Sequence, residues 1–141
     1  MSEGGLKVAR DFRAEDDIKE YIGERWDCTV ADLGDFGDID WLVYRDNRIV
    51  AIAEFKRLYR SSEEWPNLYF NLKKWIPLML VGAGLKVPAY FIVQFDNKIT
   101  YIDVADVDAT KHEVNGRDDR GRSSDLQPAI LVPVNQMKEE K

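Results

Sequence analysis

The chain has 141 residues and a mass of 16.3 kDa, the length of one domain, and its 45% hydrophobic residues supply enough apolar material for one core. No apolar run reaches the 18 residues of a membrane span and the first residues lack a secretory signal, so we expect a cytoplasmic protein with no membrane partner. One cysteine and one histidine exclude an internal disulfide and a zinc site built from the usual ligands, so any metal would need oxygen ligands.

Charge is unevenly distributed along the chain. The net charge of −6 argues against a protein that coats nucleic acid non-specifically, because such binding comes from neutralised phosphates. Residues 45–74 nevertheless carry seven basic and four acidic side chains. The seven basic residues could form a basic surface on an otherwise acidic molecule. They are Arg45, Arg48, Lys56, Arg57, Arg60, Lys73 and Lys74.

The first part of the chain predicts a helix followed by strands. Apolar residues at steps of three and four predict an amphipathic helix over residues 11–26, with acidic residues in its first turns. A short extended piece over residues 30–33 follows. Residues 39–44 and 48–55 predict two strands joined by a tight turn, because the Asp-Asn pair between them tolerates the left-handed conformation that such a turn needs.

A second helix is predicted next. Ser61 and Glu64 have the spacing of a capping box, which predicts the start of a helix of about 15 to 20 residues. Pro77 should kink this helix, because it cannot donate to the carbonyl four positions back, and Gly82 and Gly84 should end it.

The remaining elements complete a mixed sheet. Residues 89–95 and 98–104 predict a second hairpin whose strands suit burial on both faces. The C-terminal part is predicted to contain a polar loop over residues 105–127, an edge strand over residues 129–134 and a solvated tail over residues 135–141. The order helix, strand, strand, helix, strand, strand predicts one α/β domain over residues 1–141, with a central mixed sheet of four to five strands flanked by helices.

Charged residues lie at one end of the first predicted hairpin. Because side chains alternate along a strand, Glu54 and Lys56 share one face of the second strand. Asp40 enters the apolar run of the partner strand, and Asp38 would share its face. If the strands pair, three or four charged groups converge where the strands leave the sheet.

Such a cluster suits hydrolysis of a phosphate ester. Carboxylates from two strands can hold Mg²⁺, a hard ion that prefers oxygen ligands. A neighbouring lysine can orient a water molecule or stabilise the charge on a phosphodiester under attack. The acidic-x-Lys triplet alone is uninformative, since it also begins at Asp17, Asp96 and Glu139. Only Glu54-x-Lys56 ends a strongly apolar strand that follows another strand opening with Asp.

The segment resembles the PD-(D/E)xK nuclease superfamily, and the similarity covers about residues 11–104, including the order of the elements. The resemblance implies a restriction-endonuclease-like fold with an αβββ-type core. It also implies that Asp40 is the strand Asp, Glu54 the second metal ligand and Lys56 the catalytic lysine. The peptide carbonyl of Phe55 would be a further ligand. The proline that names the motif is absent from this chain.

Further site residues are implied by the same resemblance. In branches similar to archaeal Holliday-junction resolvases, a Glu on the first helix completes the site. Glu15 fits this position, since Ile18 and Ile22 follow at three and seven residues, while Glu20 and Glu24 are rivals.

Many members carry a Gln or Lys on the helix after the lysine strand. Asn71, Lys73 and Lys74 are the candidates here, and Lys74 is favoured. Arg57 and Arg60 join the two lysines as candidate nucleic-acid contacts.

The hairpin and the resemblance together predict a Mg²⁺-dependent endonuclease that hydrolyses DNA phosphodiester bonds, with Mn²⁺ as a substitute ion. A chain this small would contact few phosphates, so a homodimer is expected for cutting both strands. Two alternatives stay open. A strand-end acid is commonly a solvated gatekeeper against edge pairing, and the chain's acidity would suit a catalytically inactive module of the same fold that binds nucleic acid or protein.

Overall fold

The computed structural model describes residues 15–32, 39–108, 111–116 and 126–140. Within these ranges lie two α-helices, α1 (Glu15–Trp26) and α2 (Leu72–Leu85). The strands are β1 (Thr29–Asp32), β2 (Trp41–Arg45), β3 (Arg48–Arg57), β4 (Asn67–Asn71), β5 (Ala89–Gln94), β6 (Ile99–Asp103), β7 (His112–Gly116), β8 (Leu126–Pro133) and β9 (Lys138–Glu140). The predicted start of the first helix and the position of Asp38 lie outside the described residues.

Most strands form one mixed sheet in the order β1-β2-β3-β5-β6-β9. Among the described strands, only β3 and β5 pair in parallel, and α2 lies in the connection between them, as a parallel crossover requires. A second sheet, in the order β4-β8-β7, has no strand pairing with the main sheet among the described residues. The predicted α/β class and the mixed, helix-flanked sheet are confirmed, but the main sheet has six strands rather than four to five.

The two faces of the main sheet bury separate apolar cores. On one face, Ile18 and Ile22 of α1 pack with Trp41, Ala53 and Ile92. On the other, α2 and the second sheet cover a larger cluster; its members include Ile52, Leu68, Phe70, Trp75, Leu78, Phe91, Val93, Ile130 and Val132. Neighbouring residues of β3 face opposite cores. Alternation along this strand therefore determines which face of the sheet each of its other side chains occupies. No helix in the described part of the chain is long and apolar enough to cross a membrane.

Both predicted hairpins are confirmed. Asp46 and Asn47 form the two-residue turn between β2 and β3 with φ angles of 54° and 62°, the left-handed conformation expected of this pair. Strands β5 and β6 pair antiparallel as predicted.

The predicted helix from Ser61 is wrong in its start. The capping box forms, since the Ser61 N–H donates to Glu64 Oε2 at 3.0 Å, but it caps only a short 3₁₀ turn, Ser62–Glu64. The residue before a proline disfavours helical geometry, so the chain leaves the turn ahead of Pro66 and extends as β4, which pairs with β8. Helix α2 starts only afterwards.

Helix α2 also ends later than predicted. It continues past both glycines to Leu85, where Lys86 at φ 60° provides a left-handed cap. Gly82 is buried, and a Cβ there would lie 3.2 Å from that of Ala89. This glycine therefore serves the close approach of α2 to β5 rather than helix termination.

Three C-terminal predictions need correction. The predicted loop over residues 105–127 contains β7, although residues 117–125 lie outside the described ranges. Strand β8 is not an edge strand, because it lies between β4 and β7. The predicted tail over residues 135–141 contains β9, which pairs with β6. These pairings join distant segments, so local polarity alone does not disclose them.

Candidate active site

Strand pairing brings Asp40 and Glu54 together at the end of the first hairpin. The β2–β3 ladder ends at the pair Trp41 and Ala53, so Asp40 and Glu54 are the next positions in the antiparallel register. Asp40 continues the pairing with its side chain, because its Oδ2 accepts the Phe55 N–H at 3.0 Å. The Asp40 carboxylate is therefore fixed to the backbone of β3, beside Glu54.

Glu54 is the electrostatically unusual member of this pair. Its Oε1 is buried and has no hydrogen-bond partner among the described residues. Burial, followed by the nearby Asp40 carboxylate, raises the pKa of Glu54 to about 7, while Lys74 and Lys56 oppose the rise. A bound cation would satisfy this oxygen and reduce the repulsion between the two neighbouring acids.

The main chain presents a further oxygen at the same place. The N–H of Leu58 donates to the carbonyl of Gln94 at 2.9 Å, so even-numbered positions at this end of β3 bond toward β5. The N–H and C=O groups of one strand residue point to the same side. Since the N–H of Phe55 reaches Asp40, the Phe55 carbonyl faces the Asp40 side as well.

Two lysines place positive charge beside the acids. Lys56 follows Glu54 by two residues and therefore shares its face of β3. Lys74 lies in the first turn of α2, is half-buried, and its charge acts on Glu54. Asn71 caps α2 by accepting the Lys73 N–H at 2.8 Å, and the Lys73 side chain is exposed. Of the three helix candidates, Lys74 is thus the one placed at the acid pair.

Glu15 makes a different contact. Its Oε2 accepts the indole N–H of Trp41 at 2.7 Å, and the Trp41 ring stacks on Phe55 with centroids 4.8 Å apart. Both rings belong to the α1 face of the sheet, whereas Glu54 belongs to the α2 face. Among the described residues, no three His, Cys, Asp or Glu are grouped to hold a metal ion, so Glu15 is not joined with Asp40 and Glu54.

The basic residues of the charged window do not form one surface. Arg45 and Arg48 flank the β2–β3 turn, at the opposite end of β3 from Glu54. With about 3.3 Å per strand residue, Arg48 lies roughly 25 Å from Lys56. The proposed single surface therefore divides into two separate groups.

Arg57 and Arg60, both candidate nucleic-acid contacts, differ in how their charges are used. The Arg57 guanidinium pairs with Asp96 at 2.8 Å, and this side chain is only 15% exposed. The Arg60 side chain is exposed, with its guanidinium 5.6 Å from the Trp65 ring centroid. Arg60 is therefore the better placed of the two to meet a phosphate.

The oxygen atoms at this site suit a hard cation. They are the carboxylates of Asp40 and Glu54 and the carbonyl of Phe55. Mg²⁺ is typically held by one or two carboxylates and keeps several waters, so a third carboxylate is not required. The unsatisfied Glu54 oxygen is the atom that such an ion would satisfy.

Sequence reasoning missed the part that Trp41 plays. It counted this residue only as apolar, although a buried indole N–H needs an acceptor, and the acceptor is the Glu15 side chain. The presence of a Trp directly after Asp40 was the sequence feature that could have indicated such a contact. The rival acids Glu20 and Glu24 line a separate surface groove formed by α1 and the chain up to the start of β1.

Comparison with known proteins identifies the family and the fold. No curated protein matches the chain. The structure is similar to that of Hjc, a Holliday junction resolvase from the archaeal hyperthermophile Archaeoglobus fulgidus. The TM-score is 0.55 at 12% identity, over 86% of this chain and 87% of that one. This likeness shows a restriction-endonuclease-like fold. The model of the family described as "Phage putative PDDEXK endonuclease" matches residues 6–139, and the chain therefore belongs to this nuclease family.

Proposed function

We propose that this nuclease hydrolyses DNA phosphodiester bonds with a divalent cation held by Asp40, Glu54 and the carbonyl of Phe55. The observation that carries the proposal is the buried Glu54 oxygen without a partner, next to a second carboxylate. Buried polar atoms are rarely left unsatisfied, and catalytic sites are a recognised exception. When bound, Mg²⁺, or Mn²⁺ in its place, supplies Lewis-acid stabilisation of charge on the phosphate.

The neighbouring residues prepare the acid pair for this role. The Phe55 N–H holds Asp40 in place, so its carboxylate needs little reorganisation on binding. Glu54 has to be ionised to bind a cation, and Lys74 and Lys56 both favour its ionised form. The positive charges therefore offset part of the desolvation that holds the proton on Glu54.

Lys56 is proposed as the catalytic residue that meets the substrate. Its side chain is exposed, on the same face of β3 as Glu54. An ammonium group there can donate to a phosphate oxygen or orient the attacking water. Glu15 is not needed in this ligand set, and we propose that it positions Trp41 and, through the ring contact, Phe55.

DNA is the proposed substrate on two grounds. The family is one of phage endonucleases, and the similar fold of Hjc belongs to an enzyme that resolves Holliday junctions. Lys73, Lys74 and Arg60 lie on elements that adjoin the acid pair and supply candidate phosphate contacts.

The proposal is tested by cleavage of labelled DNA with added Mg²⁺ or Mn²⁺. We expect Lys56→Ala and Glu54→Ala each to lose about 100-fold or more of the cleavage rate, because they remove charge stabilisation and a ligand. Arg48→Ala, at the far end of β3, is the matched control and should cleave like the unaltered protein. Full activity in both site variants would contradict the proposal.

Metal titration separates the enzyme from an inactive binding module of the same fold. Isothermal titration with Mn²⁺ should give saturable binding that Asp40→Ala weakens at least tenfold, because a carboxylate ligand is lost. A protein that binds DNA but neither binds Mn²⁺ nor cleaves would instead be the inactive module.

We also propose a homodimer formed through α2. Ile76, Met79 and Leu80 are exposed to 49%, 36% and 67%, and no charged residue lies between Lys74 and Lys86. A helix that is apolar on every side is ordinarily covered. Packing of α2 against the α2 of a second copy would bury these side chains.

Sedimentation velocity tests this assembly. Leu80→Glu should convert a dimer to a monomer without unfolding, since the side chain is largely exposed within one copy. A monomer at micromolar concentrations of the unaltered protein would contradict the proposed interface.

A further inference from the structure

An exposed aromatic ring lies just past the end of β3. Tyr59 follows Lys56 by three residues and is 75% exposed, more than any other large hydrophobic side chain whose exposure the structure describes. Three residues of extended chain span at most about 11 Å, so the backbone of Tyr59 lies within this distance of Lys56.

This ring is held in place from one side by Arg57. The Arg57 guanidinium carbon lies 4.1 Å from the centroid of the Tyr59 ring. The same guanidinium pairs with Asp96 at 2.8 Å and donates to the carbonyls of Gln94, at 3.3 Å, and Leu58. Arg57 is therefore a fixed support for the ring, which explains why this basic side chain, on the opposite face of β3 from Glu54 and Lys56, is only slightly exposed.

The backbone fixes the same loop. The Asp96 N–H donates to the carbonyl of Arg60 at 2.9 Å, which ties the segment after β3 to the turn between β5 and β6. A single exposed apolar side chain is ordinary on a protein surface. A ring anchored on both its own loop and the neighbouring turn is pre-organised, and a rigid aromatic of this kind binds with little loss of conformational entropy.

We propose that Tyr59 is a stacking platform for an unpaired base of the DNA close to the bond that is cut. This inference rests on the proposed function, and it names the substrate class as DNA with a single-stranded segment, such as a flap, gap or branch. Base–aromatic stacking strengthens binding by about 5- to 150-fold per base and needs an accessible base face, which a base stacked inside a duplex does not offer.

The spacing fits one strand of DNA. The backbones of Tyr59 and Lys56 are at most about 11 Å apart. The ring packs on Arg57, on the other face of β3 from Lys56, so a strand that contacts both Lys56 and the ring passes over the end of β3. A phosphate at Lys56 and a base on Tyr59 can thus belong to the same short segment. Arg60, exposed next to Tyr59, is placed to contact the backbone of that segment.

The inference is tested by binding, measured in EDTA so that no cleavage occurs. Fluorescence anisotropy would compare a duplex with the same duplex carrying a single-stranded flap, for the unaltered protein, Tyr59→Ala and Tyr59→Phe. We expect Tyr59→Ala to weaken flap binding by about 5- to 100-fold and duplex binding less than about twofold, with Tyr59→Phe like the unaltered protein. Tyr44→Ala removes another exposed tyrosine, near the far end of β3, and should change neither.

A base analogue reports the contact directly. 2-Aminopurine placed within three nucleotides of the flap junction should lose fluorescence on binding the unaltered protein and Lys56→Ala, but not Tyr59→Ala. An equal loss of duplex and flap binding in Tyr59→Ala, or quenching that survives this substitution, would overturn the inference. Lys56→Ala is used for binding only. If the unaltered protein quenches the analogue but does not cleave DNA with Mg²⁺ or Mn²⁺, the proposed chemistry fails and the stacking platform stands.

Discussion

The two faces of the main sheet each carry a glutamate near the same end of the first hairpin, and the two acids are in opposite situations. On the α1 face, Glu15 accepts the Trp41 indole N–H at 2.7 Å, above a ring pair that continues the apolar core. On the α2 face, Glu54 has a buried oxygen without a partner among the described residues and a second acid beside it.

This difference indicates that the acid on the α1 face contributes to the fold and the acid on the α2 face to the proposed chemistry. A carboxylate that accepts a buried donor stabilises the packed ring beneath it. A carboxylate that is buried, crowded by another acid and unsatisfied reduces the stability of the folded state until a ligand arrives. Three predictions test this contrast, in decreasing order of expected effect.

The largest effect is expected on cleavage. Glu54→Gln should lower the rate by about 100-fold or more, equivalent to about 2.7 kcal/mol, because the amide removes a charged ligand from the acid pair. Glu15→Gln should lower it less than about fivefold, since the amide oxygen can still accept the Trp41 N–H. Initial rates on labelled DNA with Mg²⁺ make the comparison.

Equal losses in the two variants would mean that Glu15 is a ligand, as the resemblance to resolvase-like nucleases implies, and the contrast between the faces would fail. Thermal unfolding of both variants serves as the control, because a misfolded protein would also lose activity.

A smaller effect is expected on the free energy of unfolding, measured in the absence of metal. The folded-state pKa of Glu54 is about 7, above the ordinary value of 4.5, so its protonated form is favoured by folding. The resulting stability is fully present below about pH 4.5 and is lost as the pH rises through 7. Since the side chain is only half-buried, we expect a loss of about 1–2 kcal/mol.

Urea unfolding in EDTA across this pH range measures the loss, and Glu54→Gln should abolish it. Added Mg²⁺ should raise the free energy of unfolding most above pH 7, because the ion needs the ionised carboxylate. A flat pH profile in the unaltered protein would contradict the assigned environment of Glu54.

The smallest effect is expected at the acidic-x-Lys triplet in the turn between β5 and β6. Asp96 pairs with Arg57, and Lys98 lies in the turn between β5 and β6, away from the acid pair. Lys98→Ala should therefore change the cleavage rate less than about twofold, whereas Lys56→Ala should lower it by about 100-fold or more. A comparable loss in both would show that the triplet acts through overall charge rather than through its place on β3.

The sequence was most informative where the structure depends on neighbours along the chain. Strand alternation and the turn between β2 and β3 were sufficient to bring Asp40 and Glu54 to the same end of the hairpin. The register that sets them opposite each other depends on a bulge between Val43 and Tyr44, which the sequence did not indicate. The proximity of Lys74 could not be derived in the same way. It depends on where α2 packs, and the true start of α2 was obscured by a capping box that closes only one turn.

The remaining differences come from long-range pairing. Strands β4 and β8 join segments about sixty residues apart, and no local pattern distinguishes such a strand from a loop or an edge. The acceptor of the Trp41 indole was equally hidden, since Glu15 precedes it by 26 positions. The residues of the hairpin that carry the proposed chemistry were thus predictable, while the bulge that aligns them and the side chains that support them were not.

The pairing of β9 ties the two ends of the described chain to one another. The Trp26 indole N–H donates to Glu140 Oε1 at 2.6 Å, across 114 positions of sequence, while β9 closes the edge of the sheet beside β6. Fraying of the last strand would uncover the end of α1 as well as the outer hydrogen-bonding groups of β6. Removing a few C-terminal residues would therefore loosen the first helix. A circularly permuted version of the protein should have its new chain ends away from the contact between Trp26 and Glu140.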